Sequence, residues 1–191
     1  MKKINIIIIN GKPRSGKDTV IGYMKKYCDI NECARCYSYS TIDPVKDVLR
    51  NLGWNGEKTD EVRNMLSSMK QFWINTCDGP LKYCMDTIFQ CMNMDTDDDM
   101  VLVFQIREPD EIHKLINAIK PIELAYNLNV STLLVYRSEA SQKHHGNKSD
   151  NDVAEYVYDK SICNNSSIED LWTVVKEYMD NLLEVYKDGN K

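Results

Sequence analysis

Ile4-Asn5-Ile6-Ile7-Ile8-Ile9-Asn10-Gly11-Lys12-Pro13-Arg14-Ser15-Gly16-Lys17-Asp18-Thr19 decides the fold of this 191-residue chain. A continuous apolar run with β-branched side chains predicts a strand buried on both faces. The glycine-bracketed loop that follows, and the amphipathic segment after it, predict a strand, a phosphate-cradling loop and a helix. In such a loop successive backbone N–H groups turn inward around phosphate oxygens, and the helix start adds partial positive charge. Gly11 and Gly16 suit backbone that passes close to a ligand or takes positive φ. Lys17 sits where the motif places its phosphate-binding ammonium. Asp18 occupies the position where the motif expects a Mg²⁺-binding Ser or Thr, and Thr19 follows it; a carboxylate is also a hard oxygen ligand. The stretch therefore predicts a site for ATP with Mg²⁺, the donor phosphates held by Lys17 and the amides of Ser15, Gly16, Lys17, Asp18 and Thr19, with Asp18 as the metal ligand.

Working outward, residues 16–28 continue as a helix, and Arg35–Ser40 has the alternation of a short second strand. Residues 43–95 contain helical patterns over Pro44–Leu52, Lys58–Thr76 and Pro80–Met94, separated by turn signals at Gly53-Trp54-Asn55-Gly56 and Asp78-Gly79. Met100–Phe104 reads as a buried strand, Asp110–Ile119 as a helix, and Val130–Tyr136 as a further strand. The polar stretch Ser138–Asp152 reads as an exposed loop. A short strand near Ser161–Cys163 precedes a last helix with apolar positions at Ile168, Leu171, Trp172, Val175, Met179, Leu182 and Tyr186, and the tail beyond Lys187 is expected to fray. Strands alternating with helices predict an α/β fold with a five-stranded parallel sheet and helices on both faces. Ligands of such sheets gather beyond the carboxyl ends of the strands, and Gly11, Ser40, Gln105, Arg107, Arg137 and Asn164 all fall there.

At 42% apolar residues the chain can bury one substantial core, and one domain over 1–191 is expected. A formal charge of -5 disfavours a broad nucleic-acid surface, which needs clustered cations, whereas a small anionic ligand needs only a local basic pocket. The first apolar run is far shorter than the ~20 residues of a membrane span and lacks the flanks of a signal peptide, so a cytoplasmic protein is expected. Seven cysteines, an odd number, suit a reducing compartment. Cys33 and Cys36 have C-x-x-C spacing without the second pair a structural zinc site wants, and read as packing or a reduced pair. Cys84 and Cys91 share a helix face with Leu81, Met85, Ile88 and Met92 and read as core. His144-His145 reads as surface, and Asp95, Asp97, Asp98 and Asp99 lack the glycine and final glutamate of a calcium loop.

Gly-x-x-Arg-Ser-Gly-Lys-Asp is narrower than the general phosphate-loop pattern and resembles the deoxynucleoside monophosphate kinases of phages and the phosphomevalonate kinases of animals. Tyr39-Ser40-Thr41-Ile42-Asp43-Pro44-Val45-Lys46, Arg107-Glu108-Pro109-Asp110-Glu111-Ile112 and Tyr158-Asp159-Lys160-Ser161-Ile162-Cys163-Asn164 are similar to segments at corresponding places in these kinases. The resemblance implies a P-loop NTPase three-layer sandwich, ATP and Mg²⁺ as donor and cofactor, and a small-molecule nucleotide as acceptor. It implies that the helical insert, 43–95, binds the acceptor and that 137–152 forms a lid. Asp43, Lys46, Arg63, Lys70 and Asp78 then become acceptor-side residues, each with a bland alternative as a helix cap or solvated helix face. Arg107 is expected to grip the acceptor phosphate and Arg137 to neutralise charge on the transferring group, while Asn164 lies beside the donor base. Arg14 either points at transferring oxygens or pairs with a carboxylate. The families usually show Asp-x-Arg where this chain has Gln105-Ile106-Arg107, and Gln brings no charge to a metal or an acceptor proton. A nucleotide-binding regulator without turnover is the alternative that this departure favours.

Overall fold

A computed structural model describes residues 2–57, 59–138, 153 and 156–184. The central strand β1 (Ile4–Asn10) is buried at every position, as its unbroken apolar run demands. Helix α1 (Lys17–Asn31) leads to β2 (Arg35–Ser40), and three helices follow: α2 (Asp43–Asn51), α3 (Asp60–Cys77) and α4 (Gly79–Met92). Then come β3 (Met100–Gln105), α5 (Pro109–Ile119), a single turn α6 (Glu123–Tyr126), β4 (Leu128–Tyr136), β5 (Lys160–Cys163) and α7 (Ile168–Leu182).

The five strands form one sheet in the order β2-β3-β1-β4-β5, with every neighbouring pair parallel. Alternation along the strands splits the core into two layers. Ile7, Ile9, Val101, Val103, Leu133 and Val135 pack with residues of α1 and α7. Ile4, Ile6, Ile8, Met100, Leu102 and Phe104 face the other way, against α4 and α5. Ile6, Ile7, Ile8 and Ile9 are each fully buried, and burial of such a side chain contributes about 1.5–3 kcal/mol.

The order of the strands positions the site. From β1 the chain moves to β2 with α1 on one face, and from β3 it moves the opposite way to β4 with α5 on the other face. Right-handed crossovers require this arrangement. The connections after β1 and β3 therefore diverge and leave a crevice at the carboxyl ends of these two adjacent strands, the switch point where α/β sheets bind ligands.

Several boundaries move for local reasons. Helix α3 begins at Asp60 because Thr59 caps it, its hydroxyl accepting the Val62 N–H at 3.3 Å. Of the two serines before α7, Ser167 is the cap: its hydroxyl accepts the Asp170 N–H at 3.1 Å, and the Asp170 carboxylate accepts the Ser167 N–H at 3.2 Å. Strand β4 begins two residues early, at Leu128. The turn α6 is too short to show a helical period in sequence. Cys84, Ile88 and Cys91 are buried in the core against the sheet, and all seven cysteines are free thiols. Residues 139–152, including His144 and His145, and the tail beyond Glu184 lie outside the described residues. Among the described residues no helix is long and apolar enough to cross a membrane.

Candidate active site

The loop after β1 closes on itself. The Ser15 N–H donates to the Lys12 carbonyl at 3.1 Å, Arg14 takes φ +66°, and Gly16 takes φ +89° before α1 starts at Lys17. Gly11 is confined: a Cβ there would meet the Val135 carbonyl oxygen at 2.5 Å and Ser15 Oγ at 2.6 Å. The first helical bond of α1 runs from the Val20 N–H to the Gly16 carbonyl at 3.0 Å. The N–H groups just before it thus have no acceptor within the helix and lie at the positive end of its dipole. N–H groups so placed are suited to binding an anion. Asp18 and Thr19 are exposed in this first turn, and Lys17 is half-buried.

Ser15 is enclosed by the loop. Its N–H is committed to Lys12, and its hydroxyl is buried beside Gly11 with no hydrogen-bond partner among the described residues. This hydrogen bond closes the turn that shapes the loop.

Asn164 extends β5 by one ladder bond, its N–H donating to the Tyr136 carbonyl at 2.8 Å, and its Nδ2 donates to the Ser15 carbonyl at 2.9 Å. Its side chain ties the end of β5 to the loop. Arg107 follows β3, half-buried, and its carbonyl accepts a hydrogen bond from Asn10 Nδ2 at 3.1 Å. Arg137 is exposed directly beyond β4. The next residue, Ser138, is tied to Asn165: its N–H donates to Asn165 Oδ1 at 2.8 Å, and Asn165 Nδ2 donates to the Ser138 hydroxyl at 2.7 Å.

The insert residues separate into groups. Asp43 and Lys46 pair at 2.6 Å within the first turn of α2, at the end of the β2 connection. Arg63 is exposed on α3, and Arg14 is exposed on the loop. Lys70 was expected to face an acceptor, but it is buried and donates to the Glu108 carboxylate at 2.6 Å, with side-chain exposures of 9% and 19%. The pair ties α3 to the segment after β3. Asp78 belongs to a surface tie: its carboxylate meets Lys114 at 2.7 Å, and Lys114 also meets Glu111 at 2.9 Å. The Lys114 ammonium holds the Asp78 carboxyl below the usual carboxylate range. Beside these groups lies an apolar cavity of about 520 Å³, lined by Pro44, Val45 and Val48 of α2 and Ser68, Met69, Phe72 and Trp73 of α3. Ser68 carries the one hydroxyl of that lining, and Trp73 adds an indole N–H.

Two residues of the site went unmarked in the sequence. Asn10 is fully buried at the end of β1, and Tyr158 lies just before β5; Asn10 Nδ2 donates to the Tyr158 hydroxyl at 2.7 Å. A polar side chain closing an apolar strand was the available signal for the first, while the second stood only as the opening residue of a segment similar to one in the kinases, with no role of its own.

No family model and no curated protein matches the chain. Among solved structures, the APS kinase CysC of Mycobacterium tuberculosis, in complex with AMPPNP and APS, is 11% identical over 96% of this chain and 99% of that one, with a TM-score of 0.50. The crystal structure of APE1195 is 12% identical over 96% of this chain and 98% of that one, with a TM-score of 0.53. These likenesses are of fold, beside the parallel five-stranded sheet and the loop from Gly11 to Lys17 described above. The chain has the P-loop NTPase fold. Its P-loop is the segment Gly11–Lys17, and its P-loop helix is α1.

For a metal ion, the donor set is sparse. Among the described residues no group of three or more His, Cys, Asp or Glu is placed to hold one. A Mg²⁺ ion takes one or two carboxylates and completes its shell with substrate phosphates and water. Asp18, exposed in the first turn of the P-loop helix, is such a carboxylate.

Proposed function

We propose that the chain is a kinase that moves the γ-phosphoryl group of ATP onto a nucleoside or deoxynucleoside monophosphate, giving the diphosphate. The observation that carries this reading is the meeting, at the β1–β3 crevice, of the P-loop and the Arg107 segment, joined through Asn10. A P-loop alone fits many NTPases; an arginine in the segment beyond the neighbouring strand would add a grip for a second phosphate.

The proposed roles follow from charge and reach. Lys17 and the opening amides of α1 hold the donor phosphates, and Arg107 orients the acceptor phosphate. Arg137 offsets charge as the group transfers, which is most of what phosphoryl transfer asks of a protein. Asp18 is the protein ligand for Mg²⁺, whose chemistry here is neutralisation of phosphate charge. Asp43, Lys46 and Arg63 lie on the acceptor-side insert, whereas Lys70 and Asp78 shape that insert through their ion pairs.

The cavity between α2 and α3 favours a second reading, a phosphomevalonate-type small-metabolite kinase. Its lining provides one hydroxyl, and the polar edge of a base buried there would lose water contacts without full replacement. The deciding experiment incubates the protein with ATP, Mg²⁺ and each ribo- and deoxyribonucleoside monophosphate, with an isoprenoid phosphate in parallel and Lys17→Ala as control. Diphosphate product from at least one nucleotide, absent in the control, is the expected result. Transfer to the isoprenoid phosphate alone rejects the nucleotide reading, and no transfer to any acceptor rejects turnover.

A further inference from the structure

We propose that Asn10 is a positioning residue that fixes the phosphate loop relative to Arg107, through a hydrogen-bonded line that ends on Tyr158. The inference rests on the reading of the site given above. Asn10 is fully buried at the last position of β1. Its Oδ1 accepts the Gly11 N–H at 2.8 Å, the first amide of the P-loop. Its Nδ2 donates to the Arg107 carbonyl at 3.1 Å and to the Tyr158 hydroxyl at 2.7 Å. Tyr158 then donates its own proton to the Val153 carbonyl at 3.1 Å. The partners settle which way the amide points, because an N–H must meet oxygen and a carbonyl must meet N–H.

One side chain therefore joins three connections at the carboxyl edge: the one after β1, the one after β3 and the one before β5. Both Nδ2 hydrogens and the Oδ1 of Asn10 are used. Asp in its place lacks both donors, and Leu lacks all three contacts. In the proposed reaction the donor phosphates lie on the Gly11 side of this junction and the acceptor phosphate on the Arg107 side. The amide thus sets the spacing between the two substrates without touching either. A displacement of about 1 Å between reacting groups can lower a rate about a hundredfold.

The test compares wild type, Tyr158→Phe and Asn10→Leu. Tyr158→Phe preserves the ring and removes one partner of Asn10, so it remains informative where Asn10→Leu does not fold. ATP affinity is measured by calorimetry, turnover per folded molecule by initial rates, and backbone amide exchange by mass spectrometry. The expected result for Tyr158→Phe is turnover lower by about tenfold with ATP affinity changed less than about twofold, as for an interaction that acts on alignment. Its amide exchange should quicken around Gly11 and around Arg107 as well as near residue 158. A merely local structural role would quicken exchange near residue 158 alone, and that result overturns the proposal. Equal losses of turnover and ATP affinity overturn it too. Should wild type transfer phosphate to no acceptor, the kinase reading fails, while exchange at Gly11 and Arg107 still decides whether the line couples the loops.

Discussion

Asn164 Nδ2 donates to the Ser15 carbonyl at 2.9 Å and lies 2.0 Å from where a Cβ on Gly16 would stand. The end of β5 and the turn into α1 are therefore shaped to each other, and Gly16 is required twice: for its φ of +89° and for the room it leaves. Gly16→Ala should destabilise the fold by about 1–3 kcal/mol from backbone strain and push the Asn164 amide off Ser15. Thermal unfolding and calorimetry with ATP check this; the expected outcome is a lower Tm together with weakened nucleotide binding. Asn164→Ala should cost about 1 kcal/mol, the net worth of one hydrogen bond.

Lys70 and Glu108 are a buried ion pair, so removal of one partner leaves an uncompensated charge. Lys70→Met is expected to lower stability by about 3 kcal/mol in urea unfolding. The double variant Lys70→Met with Glu108→Leu should recover most of that loss, because two apolar side chains replace the pair. A single variant as stable as wild type would contradict the buried pair.

Gly79 opens α4 against the Trp73 indole, and a Cβ at Gly79 would fall 1.9 Å from the indole nitrogen. Gly79→Ala should therefore displace the ring and cost about 1–3 kcal/mol, the usual range for overpacking. Tryptophan emission should change with it, since the displaced indole also lines the cavity between α2 and α3.

Burial pushes the Cys84 thiol up to about 12 and the Cys33 thiol up to about 11, whereas Cys77 and Cys163 are exposed. Thiolate is the species that alkylates, so iodoacetamide at pH 8 should label Cys77 and Cys163 well before Cys84. The same burial makes stability depend on pH. The folded state keeps the Cys84 proton where the unfolded chain, titrating near pH 8.5, gives it up. This contribution is complete below about pH 8.5 and is lost as pH rises from there towards 12. Unfolding followed at stepped alkaline pH should show the decline.

The central strand and its loop were legible because the signals are local: an unbroken run of isoleucine, two bracketing glycines and a lysine at fixed spacing. The parallel α/β sheet followed from alternating strand and helix patterns. Site geometry was less legible wherever a role depends on what lies across in space. Lys70 finds Glu108 at a separation of 38 residues, and Asp78 finds Lys114 at 36. No spacing rule within one helix reports such partners, so both residues read as acceptor contacts. The amide of Ser15 closes the turn that forms the loop, a bond that sequence alone does not report. Asn10 was hidden by its position: at the end of an apolar strand it reads as a stop signal, and two of its three contacts come from segments far away in the chain.

The central claim is that the segment from Gly11 to Thr19 holds the triphosphate of a nucleotide. Calorimetric titration of ATP with Mg²⁺ into wild type and Lys17→Ala tests it most directly. The account predicts one site per chain in wild type and affinity at least about tenfold weaker in Lys17→Ala, the size of one lost charge-assisted contact. Equal affinity in both proteins, or no binding to wild type, would contradict it.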